Sequence, residues 1–503
     1  MNNKFVKAIF TVTFFSVITR ALGFLLKIYL SRKLGSVLLG SYQVAMSIFA
    51  VLLTLVSSGI PVVLSRNVSY YNGQKNEKLI GSIVSSGLIL TGAICLFVST
   101  AVLVFPNFLS LFFSSNEASQ MILLLLPALV FSSIYEVLRG ALWGKQKFFI
   151  ISFTEFLEQV VRIVLIFLFF ETPILCISPT NRTALSLSLA CIISSIVVCI
   201  IYFKCGGKLF SPRPEFKKLL KSSTPITSVR TISAVVSSII AIIIPIRLRL
   251  FGYTETEALA EFGTIMGMTF PLIMIPSTLT SALAVTIIPS ISEQSNDIDS
   301  GKIKNKVILQ SKVNFAIRAS IIFSGFLIGL FMSMGIPICE LLFNNSRAGI
   351  FLISSALIMI PISFSQITSS ILNAIGLELK SLKNYALSAS LLIFSILFLP
   401  KHIGTFSLVV GYALMSTTQS LLNFAMLKKR KLANFSFAKT LISIILASII
   451  SFIFGKFVSK LFTNKILSLV LGSTFALASA GILCIVFNLT NILIILKNKK
   501  LKH

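Results

Sequence analysis

Acidic side chains are scarce. Only 15 Asp and Glu stand against 44 Lys and Arg in 503 residues, and charged residues make up 12% of the chain. Soluble domains average about 25% charged residues, so a water-facing surface of this size would lack half of its usual charge. Histidine is limited to His402 and His503, and aspartate to Asp297 and Asp299. No Walker-type phosphate loop, metal-ligand cluster or nucleophile elbow occurs. ATP hydrolysis, bond-forming catalysis and a resident cofactor or metal are therefore not expected. Seven cysteines (Cys95, Cys176, Cys191, Cys199, Cys205, Cys339 and Cys484) are scattered without a CxxC pair. That pattern indicates neither a disulfide framework nor a zinc site.

What the chain does have is apolar length. Hydrophobic residues make up 55% of it, and the mean hydropathy is +0.96. The apolar runs last about 20 residues or more, the length of a membrane helix, whereas barrel strands need roughly 10. The expected spans are 8–30, 42–64, 79–105, 120–142, 149–170, 183–203, 224–248, 263–288, 313–334, 348–374, 384–399, 404–426, 438–459 and 466–495. The pair 384–399 and 404–426 is separated only by Pro400, Lys401, His402 and Ile403, and also reads as one hairpin with a tight turn. Lys4 and Lys7 precede a first run that continues past Arg20 to Leu30 without a small-residue cleavage site. It reads as a span rather than a removable signal.

The net charge of +29 suggests topology rather than nucleic acid, because few aromatics lie among the basic patches to stack bases. Lys75, Lys78, Lys145, Lys147, the run Lys204–Lys221, Lys302–Lys312, the cluster Lys428–Lys431 and the tail after Lys497 alternate with sparsely charged connectors. By the positive-inside rule the basic side, with both termini, is cytoplasmic.

The basic connector 205–223, with Pro212 and Pro214, divides the chain. Expected are a six-helix lobe at 1–204, a second six-helix lobe at 224–426, and a C-terminal helix pair with a basic tail at 427–503. A shift of 223 residues sets Gly40 on Gly263, Thr54 on Ser277, Ser57 on Thr280, Ser58 on Ser281 and Lys7 on Arg230. A second echo sets Gly144 of LRGALWGKQK against Gly376 of SSILNAIGLELK. Weak internal symmetry of this kind marks two-lobed transporters.

Within the first span Thr13, Ser16, Arg20, Gly23, Lys27 and Ser31 share one helical face. Arg20 is near mid-depth, where a charge costs at least roughly 2.5–3.5 kcal/mol and faces a partner or a watery cavity. A cationic cavity wall and a structural ion pair are the two readings; for Lys27, snorkelling to the interface is a third. Gln43, Ser47, Thr54, Ser57, Ser58 and Pro61 form a second stripe, which reads chiefly as helix packing. In the fifth span Glu155, Glu158, Gln159 and Arg162 share a face, with Glu158 and Arg162 spaced i,i+4. They read either as an ion relay or as a charge-compensated interior pair. Glu136 and Arg139 read as interface anchors. In the seventh span Arg230 reads as snorkelling or substrate-facing, and Arg247 as a candidate cap on a cavity.

The stretch RALGFLLKIYLSRKLGSVLLGSYQVAMSIFAVLLTLVSSGIPVVLSR (20–66), with LRGALWGKQKF, TEFLEQVVRIVL and PLIMIPSTLTSALAVTIIPSISE, resembles the polysaccharide flippases of the multidrug/oligosaccharidyl-lipid/polysaccharide exporter superfamily. Within that superfamily it is most similar to the stage V sporulation protein B type. The resemblance implies an all-α integral membrane fold of about fourteen helices, two pseudo-symmetric six-helix lobes plus two C-terminal helices. It implies alternating access that turns an undecaprenyl-pyrophosphate-linked saccharide across the bacterial cytoplasmic membrane, for cell wall, spore cortex or surface polysaccharide. Arg20 is the position matching the first-helix cations of related lipid II flippases; the second span departs from them in carrying no mid-depth arginine. The expected substrate-binding set is Arg20, Lys27, Arg247, Arg230 and Ser16. Glu155, Glu158 and Arg162 are the expected ion-coupling or structural set, with Na+ or H+ as partner. The rival from the same superfamily is a cation-coupled multidrug antiporter, disfavoured by the lack of intramembrane Asp. A membrane glycosyl polymerase would need a sizeable external loop with acid/base residues, and a scaffold would tolerate cavity charge reversal.

Overall fold

The computed structural model describes residues 3–104, 116–172, 177–212, 216–299, 307–433 and 437–486, and every regular element among them is helical. Helices α1 (Asn3–Ser57), α2 (Ile60–Gly73), α3 (Glu77–Val104), α4 (Asn116–Gly144), α5 (Phe148–Glu171), α6 (Pro179–Lys204), α7 (Phe216–Leu250) and α8 (Glu255–Gly263) build the first part of the chain. A continuous helix of α1's 55 residues would run roughly 80 Å at 1.5 Å per residue, far beyond a hydrocarbon core of about 30 Å. The chain breaks it at Gly35, whose φ of 68° lies in the left-handed region open to glycine. Two arms result, 3–34 and 36–57. Helix ends are fixed by local chemistry. Ser178 caps α6 by accepting the Asn181 N–H at 3.4 Å, with Pro179 at the first helical position.

Ten described helices are long and apolar enough to cross a membrane, or eleven if Glu255–Ile273 and Ile275–Ser281, bent by 45°, form one span. The count of fourteen expected spans is not reached. The first two expected spans fall in one stretch, Thr11–Gly73. Helix α5 carries Glu155, Glu158, Arg162 and Glu171, and Phe406–Lys429 carries Gln419 and Asn423, so neither is apolar enough. The last expected span, 466–495, extends beyond the described residues.

The chain separates into two compact units, Met1–Gly263 and Thr264–His503. In the first, Ile60, Leu64, Ile83, Leu138, Leu142 and Val198 form one buried cluster, and Phe49, Val56, Met121, Leu125, Leu129 and Leu187 another. Large apolar side chains also point outward: Leu96 is 73% exposed and Phe97 75%, as lipid contact requires. The second unit is held partly by amides. Asn384 Nδ2 donates to Asn423 Oδ1 at 2.9 Å, and Asn423 Nδ2 donates to Ser369 Oγ at 2.9 Å. Interhelical polar bonds of this kind hold membrane helices in register where lipid supplies no hydrophobic drive.

Candidate functional site

The first arm of α1 has two exposed faces. Phe14, Val17 and Leu25 are 52%, 55% and 58% exposed, an apolar face fit for lipid. Arg20 and Lys27 are also exposed. At 100° per residue they lie about 20° apart, and about 120° around the helix from the mean direction of the apolar face. Seven residues separate them along the axis, roughly 10 Å. Ser16 and Thr13 extend the same stripe and are half-buried. Between the faces α1 packs on α5: Phe15 meets Phe149, Phe153 and Phe156 edge-on at 5.8–6.5 Å, and Tyr29 stacks on Phe167 at 5.4 Å. Gly23 faces Gln159 of α5, with room for a Cβ 3.7 Å from its Nε2. Arg20 and Lys27 are therefore turned away from the apolar face, while Gly23, on the same stripe, borders α5.

The charges of α4 and α5 form one network. Arg139 donates from Nη1 to Glu136 Oε1 at 2.8 Å and from Nη2 to Glu155 Oε1 at 2.7 Å, bridging the two helices. On α5, Arg162 Nη2 donates to Glu158 Oε1 at 2.5 Å, and Nη1 to Gln159 Oε1 at 3.3 Å. Arg20 of α1 makes no ion pair with these groups among the described residues, but its charge lies within electrostatic reach of Glu155. Glu136, Glu155 and Glu158 are thus matched by Arg139, Arg162 and Arg20. Mutual compensation is what allows six charges to lie within this helical unit.

A cavity of about 540 Å³ opens onto the Glu136–Arg139 end of the network. Its walls are the second arm of α1 with Thr54, Ser57 and Ser58, Pro61 of α2, Glu136, Arg139 and Trp143 of α4, and Arg230 of α7. Arg230 Nη1 donates to the Ser58 carbonyl oxygen at 2.9 Å. Arg247 lies about 26 Å further along α7 at 1.5 Å per residue. It is half-buried with its guanidinium carbon 5.2 Å from the Phe251 ring centroid. Arg230 and Arg247 thus cannot meet one head group.

Of the sequence-predicted residues, the structure groups Arg20, Glu155, Glu158 and Arg162 around α1 and α5, and sets Lys27 and Ser16 on Arg20's stripe. Arg230 belongs to the cavity instead. Sequence reasoning took Glu136 and Arg139, which join the network, for interface anchors, and missed Trp143, which lines the cavity. Their position near the end of a span, where charge and indole normally anchor at the interface, favoured that reading over the i,i+3 spacing of Glu136 and Arg139. The stripe Thr54, Ser57, Ser58 was visible, but its cavity was not. Its Ser47 does act as helix packing, with Oγ 3.2 Å from Ser238 Oγ of α7.

Residues 5–295 match the polysaccharide biosynthesis protein family. Stage V sporulation protein B of Bacillus subtilis (strain 168) is 23% identical over 390 residues, 74% of this chain and 73% of that protein. Sporulation protein YkvU of the same organism is 26% identical over 304 residues, 58% of this chain and 66% of that one. Among solved structures, a lipid II flippase MurJ in an inward closed conformation superposes with a TM-score of 0.70 at 18% identity, covering 95% of this chain and 98% of that one. An inward-facing multidrug resistance MATE transporter of the MOP superfamily gives a TM-score of 0.67 at 16% identity, covering 82% and 94%. At such identities the structural likeness establishes the fold: a multi-pass, all-helical membrane protein.

Proposed function

This chain belongs to the polysaccharide biosynthesis protein family, and from that premise we propose that it is a flippase for an undecaprenyl-pyrophosphate-linked saccharide. It is a transporter, not an enzyme, and works in the bacterial cytoplasmic membrane with both termini cytoplasmic. The observation that carries the reading is the exposed cationic stripe of Arg20 and Lys27, turned away from the lipid-facing side of α1. A charge at such depth is retained where it meets an oppositely charged group or water, and a pyrophosphate offers several acceptors to a guanidinium fork. Ser16 adds a hydroxyl on the same stripe. An alternating-access cycle presents this stripe to each side of the membrane in turn, while the polyprenyl chain stays in lipid. Glu155 and Glu158 are the candidate site for a driving Na+ or proton.

Native mass spectrometry of the gently purified protein, wild type beside Arg20→Ala, tests this. A co-purifying polyprenyl-pyrophosphate saccharide lost in the variant is the expected result, and its mass identifies the sugar. Absence of such a lipid from both samples sinks the reading. The rival, cation-coupled drug export, draws on the carboxylates of α5. Their pairing with arginines weighs against it, and a drug-resistance assay in cells overproducing the protein discriminates the two.

A further inference from the structure

The 540 Å³ cavity lies within the roughly 300–1,000 Å³ range of small-molecule sites. It is built by close helix approach: a Cβ on Gly140 would fall 2.8 Å from the Pro61 carbonyl oxygen, so only glycine lets α4 and α2 meet there. Its two arginines differ in state. Arg139 is held between Glu136 and Glu155 and is already neutralised. Arg230 is exposed, forms no ion pair among the described residues, and commits one of its five N–H donors to the Ser58 carbonyl oxygen. The Ser58 hydroxyl oxygen is shielded from solvent without a hydrogen-bond partner among the described residues. A buried hydroxyl left so costs stability until something bonds it. Trp143, 41% exposed, is fixed edge-on against Phe148 at 5.4 Å and 87°.

An aromatic face, a carboxylate acceptor, hydroxyls and one uncompensated guanidinium together match a sugar ring that carries an acid group. The C–H face of a pyranose packs on an indole, whose π-face is electronegative. Its hydroxyls donate to a carboxylate such as Glu136, which lines the cavity. A carboxylate or phosphate on the ring meets the guanidinium fork of Arg230. We propose that this cavity binds an acidic sugar unit, with the ring on Trp143 and the acid on Arg230. The assignment rests on the flippase reading for its physiological ligand, since a lipid-linked saccharide would bring such a unit. Its binding chemistry is testable without transport.

Trp143 is the chain's single tryptophan, so its emission reports directly on this cavity. The full-length protein in phosphatidylcholine nanodiscs is titrated with glucuronic acid, glucose 1-phosphate and glucose. Both acidic sugars are expected to give a saturable change in emission, and glucose to need at least about fivefold higher concentration. Arg230→Gln should bring the acidic sugars to the glucose value, while Arg230→Lys keeps the preference; unchanged melting temperatures establish that the variants are folded. The proposal is overturned by equal responses to acidic and neutral sugars, by a preference that survives Arg230→Gln, or by no saturable signal in both fluorescence and isothermal titration. It is also overturned if phosphatidylglycerol in the disc alone changes the emission and blocks the sugars, which would make this a lipid-headgroup site. A co-purified lipid that depends on Arg20, alongside no sugar response, would sink this site and leave the transport reading intact. The opposite pattern would do the reverse.

Discussion

Gly40 and Gly263 stand face to face where the second arm of α1 crosses α8. A Cβ on Gly263 would lie 2.6 Å from the Gly40 nitrogen and 2.1 Å from the Ser36 carbonyl oxygen, and one on Gly40 would lie 2.1 Å from the Leu259 carbonyl oxygen. These obstacles are backbone atoms, which cannot swing aside as a side chain can. Small residues at such crossings let helix backbones touch in a membrane. Gly40→Ala and Gly263→Ala are each expected to destabilise by about 1–3 kcal/mol, as overpacking does. Thermal unfolding in one detergent measures it. Gly92→Ala, where a Cβ meets nothing within 4 Å, should leave the melting temperature unmoved. The double variant should fall short of the sum of the singles, because both press on the same contact.

The Arg139–Glu155 bridge predicts a second non-additive pair. Both side chains are about a third exposed, so the bond is partly screened. Arg139→Gln leaves Glu136 and Glu155 as neighbouring like charges, and Glu155→Gln leaves Arg139 with Glu136 alone. We expect Arg139→Gln to cost more, on the order of 1–3 kcal/mol, and the double variant to cost less than the two singles together. Additive losses would show that the bridge contributes nothing to stability.

The readable parts of this structure are those governed by periodicity. Glu158 and Arg162 pair because four residues make about one helical turn, and Arg20 shares a face with Lys27 because seven make about two. Arg139 with Glu155 was not readable, since tertiary packing of α4 on α5 brings the two together. The cavity needed Gly140 against Pro61, again a contact between helices. Gly40 and Gly263 were visible only as equivalent positions in a weak repeat; nothing in the repeat announces that they touch. The charges of α5 and the amides of Phe406–Lys429 explain part of the difference between the expected spans and the helices apolar enough to cross a membrane.

A pH dependence follows from the start of α8. Glu257 Oε2 accepts the Thr254 N–H and the Thr254 hydroxyl, each at 2.8 Å, while Thr254 Oγ1 accepts the Glu257 N–H at 3.3 Å. In this capping box, donation from Thr254 holds the Glu257 carboxyl below its usual range. A depressed folded value means the stabilisation is present above the ordinary Glu value of about 4.3 and lost as pH falls through the folded one. The difference in melting temperature between wild type and Glu257→Ala should therefore hold steady from roughly pH 5 to 8 and shrink below about pH 4. A gap unchanged at lower pH would contradict the assignment.

Two roles for Arg20, in the ion network and at an anionic head group, separate in a charge-reversal experiment. It is exposed on the polar stripe of α1, and its charge also acts on Glu155. Arg20→Gln removes the cation, and Arg20→Glu adds a carboxylate near an existing one, so the reversal should be the less stable variant, by an amount that solvent screening keeps small. Adding Glu155→Gln to Arg20→Glu removes the like-charge neighbour and should recover part of the lost melting temperature. If Arg20 also binds the anionic head group, that rescue will not extend to function. Retention of the polyprenyl-pyrophosphate lipid should stay at least about tenfold below wild type in the rescued double variant, the loss of one charge-assisted contact. Arg20→Lys should keep stability close to wild type and hold an intermediate share of lipid, because an ammonium supplies the charge without the planar fork. Lipid retention that recovers in step with stability would assign Arg20 to the ion network alone.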